Sequence, residues 1–253
     1  MGLKSYFIVA CACIILTVIG CADTTTFNTS YELRCDGAKD DFPSNEKLLS
    51  ATALYLRNYT SAQIATLPPT NKLTHLCLID CELLELSPLI LSPTLKSLWL
   101  SDNHLQSLPK ELVNASQLTY LNLDRNRLLN LPDLRQLPLR WLRLNENQLS
   151  TWPLIPNSIE RLYLAHNRLT FIPSKPTNLK EAELSYNPIT QLPDDFGIGM
   201  TRLDVAYTQL KVLPKDLSQW QTLRFLNLAG CPMSTEEKNR IQNSFSKSTT
   251  IIF

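Results

Sequence analysis

The sequence predicts an α/β solenoid in which short parallel strands line one concave face. An eleven-residue phrase, Leu-x-x-Leu-x-Leu-x-x-Asn-x-Leu, recurs about nine times, with a step of 20–23 residues. Within the phrase, apolar residues alternate as in a strand that buries one face. Because each such repeat contacts only its neighbours, we expect one elongated domain. The copies start at residues 51, 73, 95, 118, 139, 159, 179, 200 and 223.

The chain begins with a segment that is typical of protein export. Lys4 precedes an apolar run over residues 6–19, which is too short to span a bilayer as a helix. This layout predicts a signal peptide over residues 1–20. The run ends in Val18-Ile19-Gly20-Cys21, which resembles the bacterial lipobox. The resemblance implies lipid on Cys21 and an anchor at the outer membrane or cell surface. The alternative is a plain signal peptide with an incidental cysteine.

Two short segments separate this signal from the repeats. Residues 21–30 are rich in threonine and other short polar residues, which predicts a tether between the anchor and the fold. Residues 31–50 are interpreted as an N-terminal cap, with Lys47-Leu48-Leu49 leading into the first repeat. Solenoids need caps because the core of a terminal repeat is otherwise exposed.

Within the repeats, over residues 51–233, position in the phrase predicts where each side chain points. In one copy, Leu142 and Leu144 point into the core, whereas Trp141 and Arg143 point outward. Successive strands stack about 4.8 Å apart. The ninth position turns the chain, and an amide there satisfies backbone groups at the bend. It holds Asn103, Asn126, Asn147, Asn167 and Asn187, with Cys81, Thr208 and Cys231 as substitutes and Tyr59 in the degenerate first copy.

The segments behind the strands are marked by proline. Proline lacks an N–H and fixes φ, so we expect these segments to be extended. Residues 110–114 and 215–219 lengthen their repeats, and each is expected to form about one helical turn. In its short repeat and its proline-marked segments behind the strands, the chain resembles bacterial leucine-rich-repeat proteins, including secreted effectors, over roughly residues 51–253. The marked pairs are Leu108-Pro109, Leu131-Pro132, Trp152-Pro153, Ile172-Pro173, Leu192-Pro193 and Leu213-Pro214.

The last segment, residues 234–253, is predicted to be a C-terminal cap of one helix and one strand. Ser234 and Glu237 have the spacing of a capping box. Ile241 and Phe245, four residues apart, give the following helix an apolar side. Residues 249–253 are then predicted to form a closing strand.

Composition and motifs argue against an enzyme. The formal charge is +1, and removal of Lys4 with the signal leaves the chain balanced, so we expect no nucleic-acid partner. Neither a catalytic set, a phosphate loop nor a zinc pattern is present in the sequence, so we expect no cofactor and no metal. Cys35 could form a disulfide with Cys77 or Cys81 in an oxidising compartment, or the cysteines could be reduced core residues.

The outward strand positions contain the candidate binding residues. Tryptophan, tyrosine and arginine are enriched at interface hot spots. A binding surface is therefore predicted, although the tryptophans could also be surface packing and the arginines part of a solvated ladder with Glu181 and Arg202. Nearby, Glu183 and Asp204 form an acidic pair for which cation binding is an alternative. The predicted surface consists of an aromatic patch, Trp99, Tyr120, Trp141 and Tyr163, with Arg143 and Arg161 beside it.

These features predict an exported, lipid-anchored monomer that binds a protein partner through its concave face. A glycan-binding surface protein is an alternative, because tryptophan and tyrosine also stack on sugars. A secreted eukaryotic recognition protein is another, because acceptor triplets for glycosylation begin at Asn28, Asn58 and Asn114.

Overall fold

The computed structural model describes residues 31–253. The predicted signal peptide over residues 1–20, the tether over residues 21–30, the lipidation site at Cys21 and the acceptor Asn28 lie outside the described residues.

Over residues 31–253 the chain forms one parallel sheet of eleven strands, and each strand pairs with the strands next to it in sequence. The connections all return along the back of the sheet, so each repeat adds one strand. The predicted α/β solenoid is therefore confirmed. The strands are β1 (Glu32–Asp36), β2 (Ala53–Arg57), β3 (His75–Ile79), β4 (Ser97–Trp99), β5 (Tyr120–Asn122), β6 (Trp141–Arg143), β7 (Arg161–Tyr163), β8 (Glu181–Glu183), β9 (Arg202–Asp204), β10 (Phe225–Asn227) and β11 (Thr250–Ile252).

The register agrees with the predicted pointing of the side chains. Leu142, in the middle of β6, pairs with Leu121 and Leu162 and is fully buried, as is Leu144. Trp141 and Arg143 flank Leu142 on the outer face. One apolar core thus runs along the solenoid behind the sheet.

The asparagine position satisfies backbone groups at the turn as predicted, and it also joins adjacent repeats. The Oδ1 of Asn147 accepts from the N–H of Leu128 at 3.0 Å, and its Nδ2 donates to the carbonyls of Leu123 at 2.9 Å and Leu144 at 3.1 Å. The substitutes are buried too: Thr208 donates its hydroxyl to a backbone carbonyl. The residue before each of these positions has a φ between 54° and 70°, which sharpens the turn. In six successive repeats those residues are Asp102, Arg125, Glu146, His166, Tyr186 and Tyr207.

The N-terminal cap contributes a strand to the sheet, which the sequence analysis did not foresee. Strand β1 pairs with β2, and helix α1 (Asn45–Ser50) then buries Leu48 under the first repeat. Helix α2 (Ser61–Ile64) follows β2, and Thr60 and Gln63 form a complete capping box. The boundary of the cap at residue 50 stays a prediction.

The suggested disulfide is absent: no disulfide joins cysteines within residues 31–253. Cys35 pairs in register with Leu56 on the core side, whereas Cys77 is level with Tyr55 on the outer side and two strands away. That separation, about 10 Å, exceeds the reach of a disulfide. Cys81 instead donates its thiol to backbone carbonyls, and burial raises its pKa.

The back of the solenoid is mostly extended, with two short 3-10 helices over Pro88–Ile90 and Lys110–Asn114. The second confirms the helical turn predicted for residues 110–114. The helical turn predicted for residues 215–219 is wrong, because no helix forms there and a single hydrogen-bonded turn begins only at Leu217. The Oδ1 of Asp216 accepts from the N–H of Ser218 at 2.8 Å, a local bond that competes with helical geometry.

The C-terminal cap has the predicted helix and strand, but only half of the capping box. Helix α3 (Thr235–Ser244) begins after Ser234, whose Oγ accepts from the N–H of Glu237 at 3.2 Å. The Glu237 carboxylate accepts from the N–H of Leu213 and pairs with Arg240, so it ties the cap to the preceding repeat. Strand β11 then pairs with β10. In the described part of the chain, no helix is long and apolar enough to cross a bilayer.

Candidate functional site

The structure brings the four rings of the aromatic patch together on the sheet face. Trp141 lies at the centre, with its ring centroid 5.9 Å from that of Trp99, 5.6 Å from Tyr120 and 6.2 Å from Tyr163. The interplanar angles of 64° to 90° are those of edge-to-face contacts. Tyr120 is 43% exposed and the other three rings are half-buried. The sequence-predicted patch is thus one continuous cluster across β4 to β7.

Few polar contacts hold these rings. The Nε1–H of Trp99 donates to the Oγ of Ser97 at 2.5 Å. The Nε1–H of Trp141 is buried and has no hydrogen-bond partner among the described residues. The position of Trp141 therefore depends on contacts with the rings around it and with the strand below.

Arg143 lies beside the patch on the same face and is held by a buried carboxylate that sequence reasoning missed. Its Nε lies 2.5 Å from the Oδ2 of Asp124, whose side chain is 3% exposed. The other oxygen of Asp124 accepts from the N–H of Asn145 at 2.8 Å. The guanidinium carbon lies 4.9 Å from the centre of the Tyr163 ring, within cation–π range. Arg143 is thereby fixed, so a partner would meet its stem and planar face more than a free charge.

The burial of Asp124 also affects the pKa of its carboxyl. Burial raises the pKa of its carboxyl, while the Arg143 guanidinium and the N–H of Asn145 act in the opposite direction. A signal for it existed in the sequence. Asp124 is the only acidic residue at this position of the nine copies, so a lone aspartate one strand before an outward arginine marks a buried pair. The other members of that column are Arg57, Ile79, Ser101, Asn145, Ala165, Ser185, Ala206 and Ala229.

Arg161 is bound more loosely. Its side chain is 55% exposed, and its Nε lies 3.3 Å from an oxygen of Glu181. An exposed pair of this kind contributes little to stability. Arg202 stacks on the ring of Phe225 at 3.9 Å. The alternative of a solvated charge ladder therefore applies to Arg161 and Glu181 but not to Arg202. Because its ion pair is exposed and weak, Arg161 can leave Glu181 and contact another group.

The acidic pair adjoins the patch on the next two strands. Glu183 is level with Tyr163 on one side and with Asp204 on the other. The oxygens of Asp204 accept from the N–H of Ala206 at 3.1 Å and from the Nδ2 of Asn227 at 2.9 Å. Burial raises the pKa of Glu183, and the charge of Asp204 adds to that effect. Within residues 31–253, no group of three or more His, Cys, Asp or Glu side chains is arranged to hold a metal ion.

A second aromatic cluster escaped the sequence analysis. The rings of His166 and Tyr186 stack 4.1 Å apart with an interplanar angle of 10°, and those of Tyr186 and Tyr207 stack 4.5 Å apart at 14°. These three residues, called the edge stack below, occupy the left-handed turn position of successive repeats. Their equal offset before Asn167, Asn187 and Thr208 was the signal that could have found them.

Comparison with known proteins agrees with the repeat architecture. A family model described as Leucine Rich Repeat matches residues 94–115. No curated protein matches the chain in sequence.

Several solved structures share the fold. A leucine-rich-repeat protein of Leptospira interrogans is 25% identical, with a TM-score of 0.53, over 82% of this chain and 67% of that one. The leucine-rich-repeat domain of a Shigella effector is 24% identical, with a TM-score of 0.57, over 68% of this chain and 77% of that domain. A structure of the Drosophila Toll–Spätzle complex is 23% identical, with a TM-score of 0.65, over 80% of this chain but only 31% of that one. These similarities support a leucine-rich-repeat solenoid.

Proposed function

We propose that this leucine-rich-repeat protein binds a protein partner through its concave face, with the aromatic patch at the centre of the contact. The observation that carries the proposal is the cluster of four rings from consecutive strands around Trp141 on an open sheet face. Repeat solenoids of this kind are typically protein-binding scaffolds without catalytic activity, and the Toll–Spätzle structure is one of a complex.

The physical chemistry of the patch supports this role. Aromatic rings supply a large contact area with few side-chain rotamers to immobilise, so they bind at a low entropic cost. The pairing of Arg143 with Asp124 holds the arginine against Tyr163 before any partner arrives. Preorganisation of this kind reduces the cost of ordering groups on binding. Arg161 and Tyr120, the exposed members, then form the accessible rim.

The test compares two double variants for capture of proteins from cells of the source organism. In the first, Trp141→Ala and Tyr163→Ala remove the centre of the patch. In the control, Tyr186→Ala and Tyr207→Ala remove two rings of the edge stack. We expect the first to weaken binding of the identified partner by roughly 30-fold or more, as truncation of hot-spot residues does, and the control to bind normally. Equal capture by the wild type and the patch variant would exclude this site.

A glycan array, probed with the wild type and with Trp99→Ala, separates the protein-binding function from its alternative. Under our proposal neither form gives a specific signal. Binding of defined glycans that is lost in Trp99→Ala would assign the patch to sugar recognition instead.

We further propose that the protein is exported and anchored by lipid on Cys21, as Lys4, the apolar run and the lipobox-like ending favour. Intact-mass analysis of the mature protein should show a lipid-modified Cys21 as its first residue, and Cys21→Ser should abolish the modification. An unmodified N-terminus would remove the anchor. A glycan mass on Asn58 would favour the secreted eukaryotic alternative, although the Nδ2 that would carry it donates to Asp36 at 2.7 Å.

A further inference from the structure

The concave face carries a charge imbalance beside the aromatic patch. Most of its charged side chains are paired: Arg143 with Asp124, Arg161 with Glu181, and Arg34 with Glu32. Among residues 31–253, neither Glu183 nor Asp204 lies within 4.0 Å of a basic nitrogen. Arg202, which stacks on Phe225, is also in no ion pair among these residues, so internal pairing leaves this face with the two carboxylates of the acidic pair and one guanidinium, a net negative charge. The charges of Arg143 and Arg202 act on Glu183 from a distance, but its pKa is still raised.

The two carboxylates of the acidic pair are unfavourable neighbours. Glu183 and Asp204 are directly opposite each other on adjacent parallel strands, where like charges destabilise a sheet. Both are partly buried, so water screens their repulsion less than it would on an open surface. A cation placed between them would remove this repulsion. Its attraction to the two carboxylates would also be screened less by water than on an open surface.

A protein cation fits this place better than a metal ion. Calcium takes six to eight oxygen ligands and magnesium requires near-octahedral geometry, whereas this place offers two carboxylates. Each carboxylate oxygen of Asp204 already accepts one hydrogen bond, from the N–H of Ala206 and from the Nδ2 of Asn227. A lysine ammonium or an arginine guanidinium needs only a few acceptors and brings its own aliphatic stem.

The aromatic patch lies next to this place. Glu183 is two strands from Trp141 and two residues further along the strand direction, which gives about 12 Å at the usual strand spacing and rise. An extended chain covers that distance in about three to four residues. The apolar stem of a basic side chain would meanwhile lie along Tyr163, which separates the two sites.

We propose that the partner segment is basic, and that it sets an apolar side chain on the aromatic patch and a lysine or arginine on Glu183 and Asp204. This inference rests on the protein binding proposed above, since it names the chemistry of the occupant of the same face.

A random peptide display library selected on the purified protein tests the inference. We expect the selected peptides to share an apolar residue and a lysine or arginine about three to four residues away. The variant with Glu183→Gln and Asp204→Asn should bind them about tenfold more weakly, with most of the salt dependence of binding lost. Asp133→Asn, which breaks an exposed ion pair with Arg135 away from the sheet, is the matched control and should bind normally.

The outcomes separate this inference from the function on which it rests. Peptides that depend on Trp141 but carry no common basic residue, or that bind the Glu183→Gln, Asp204→Asn variant equally well, would overturn the basic-partner inference and leave concave-face binding standing. Peptides whose binding survives Trp141→Ala, or a selection that enriches no sequence, would count against both.

Discussion

The solenoid has two aromatic clusters, and they are built in opposite ways. In the aromatic patch, rings on the sheet face meet edge to face around Trp141. In the edge stack, rings at the turns lie nearly parallel, 4.1 and 4.5 Å apart. Both clusters have exposed members, so exposure alone does not distinguish a binding surface from a structural one.

The difference lies in what remains uncovered. In the edge stack, His166 and Tyr207 cover the two faces of the middle ring, so Tyr186 presents only its edge. Gly230 packs against the ring of Tyr207, since a Cβ on this glycine would lie 2.5 Å from that ring. Edge-to-face contacts leave ring faces uncovered, and faces are what a partner's apolar and cationic groups use. This difference favours the patch as the proposed binding surface and the stack as a contact between repeats.

The largest expected effect is on binding by Trp141→Ala. Because Trp141 contacts the other three rings, its loss should weaken partner binding by roughly 30-fold or more. Isothermal titration calorimetry with the identified partner measures it, and circular dichroism checks the fold. If Tyr186→Ala weakened binding as much, the two clusters would not have separate roles.

The next effect is on stability, through Gly230→Ala. Gly230 has a φ of 70°, and the new Cβ would clash with Tyr207, so we expect a loss of about 2 kcal/mol in the free energy of unfolding. Gly199→Ala is the matched control: its φ is 73°, but the nearest atom is the Nζ of Lys180 at 3.8 Å.

Urea unfolding of both glycine variants isolates the clash from the backbone strain that they share. Gly199→Ala should lose about 1 kcal/mol. In a Tyr207→Ala background, the two glycine substitutions should cost the same. A Gly230→Ala variant that is no worse than Gly199→Ala in the wild-type background would show that Tyr207 does not pack there.

A smaller loss is expected from Tyr186→Ala, which removes the middle ring of the edge stack. Each aromatic contact contributes about 0.5–1.5 kcal/mol, and two are lost from a largely exposed site, so we expect about 1 kcal/mol. Urea unfolding measures it, and binding of the partner should not change. Unchanged stability would indicate that the stack forms without contributing to the fold.

Features that depend on the local repeat pattern could be predicted from the sequence, whereas contacts between side chains of different repeats could not. Leu142 and Asn147 were placed from the sequence because a period of two and a fixed turn position are local properties that the repeat multiplies. Arg143 and Asp124 lie in adjacent repeats and at different positions of the repeat. Predicting their ion pair would have required the register of the strands and the burial of the aspartate, which the sequence pattern does not supply. The helical turn predicted for residues 215–219 did not form over that range: the Oδ1 of Asp216 accepts from the N–H of Ser218, and a single hydrogen-bonded turn begins later, at Leu217.

The smallest effect concerns the acidic pair and has the opposite sign. The folded-state pKa of Glu183 lies above its ordinary value of 4.5, because burial and Asp204 disfavour the charged form. A carboxyl with a raised folded pKa holds its proton more tightly in the folded state, so its contribution to stability falls as pH rises above 4.5. Glu183→Gln removes that loss and should stabilise the protein by about 0.5 kcal/mol at pH 7.

The pH dependence identifies the cause of that gain. The advantage of Glu183→Gln should disappear near pH 3, where the wild-type carboxyl is protonated in both states and resembles the amide. Glu181→Gln, which breaks the pair with Arg161, should give no gain at pH 7. Urea unfolding at the two pH values measures both variants. A loss of stability in Glu183→Gln at pH 7 would mean that a cation already compensates this carboxylate in the free protein. The edge of the aromatic patch would then hold no vacant place for a basic partner.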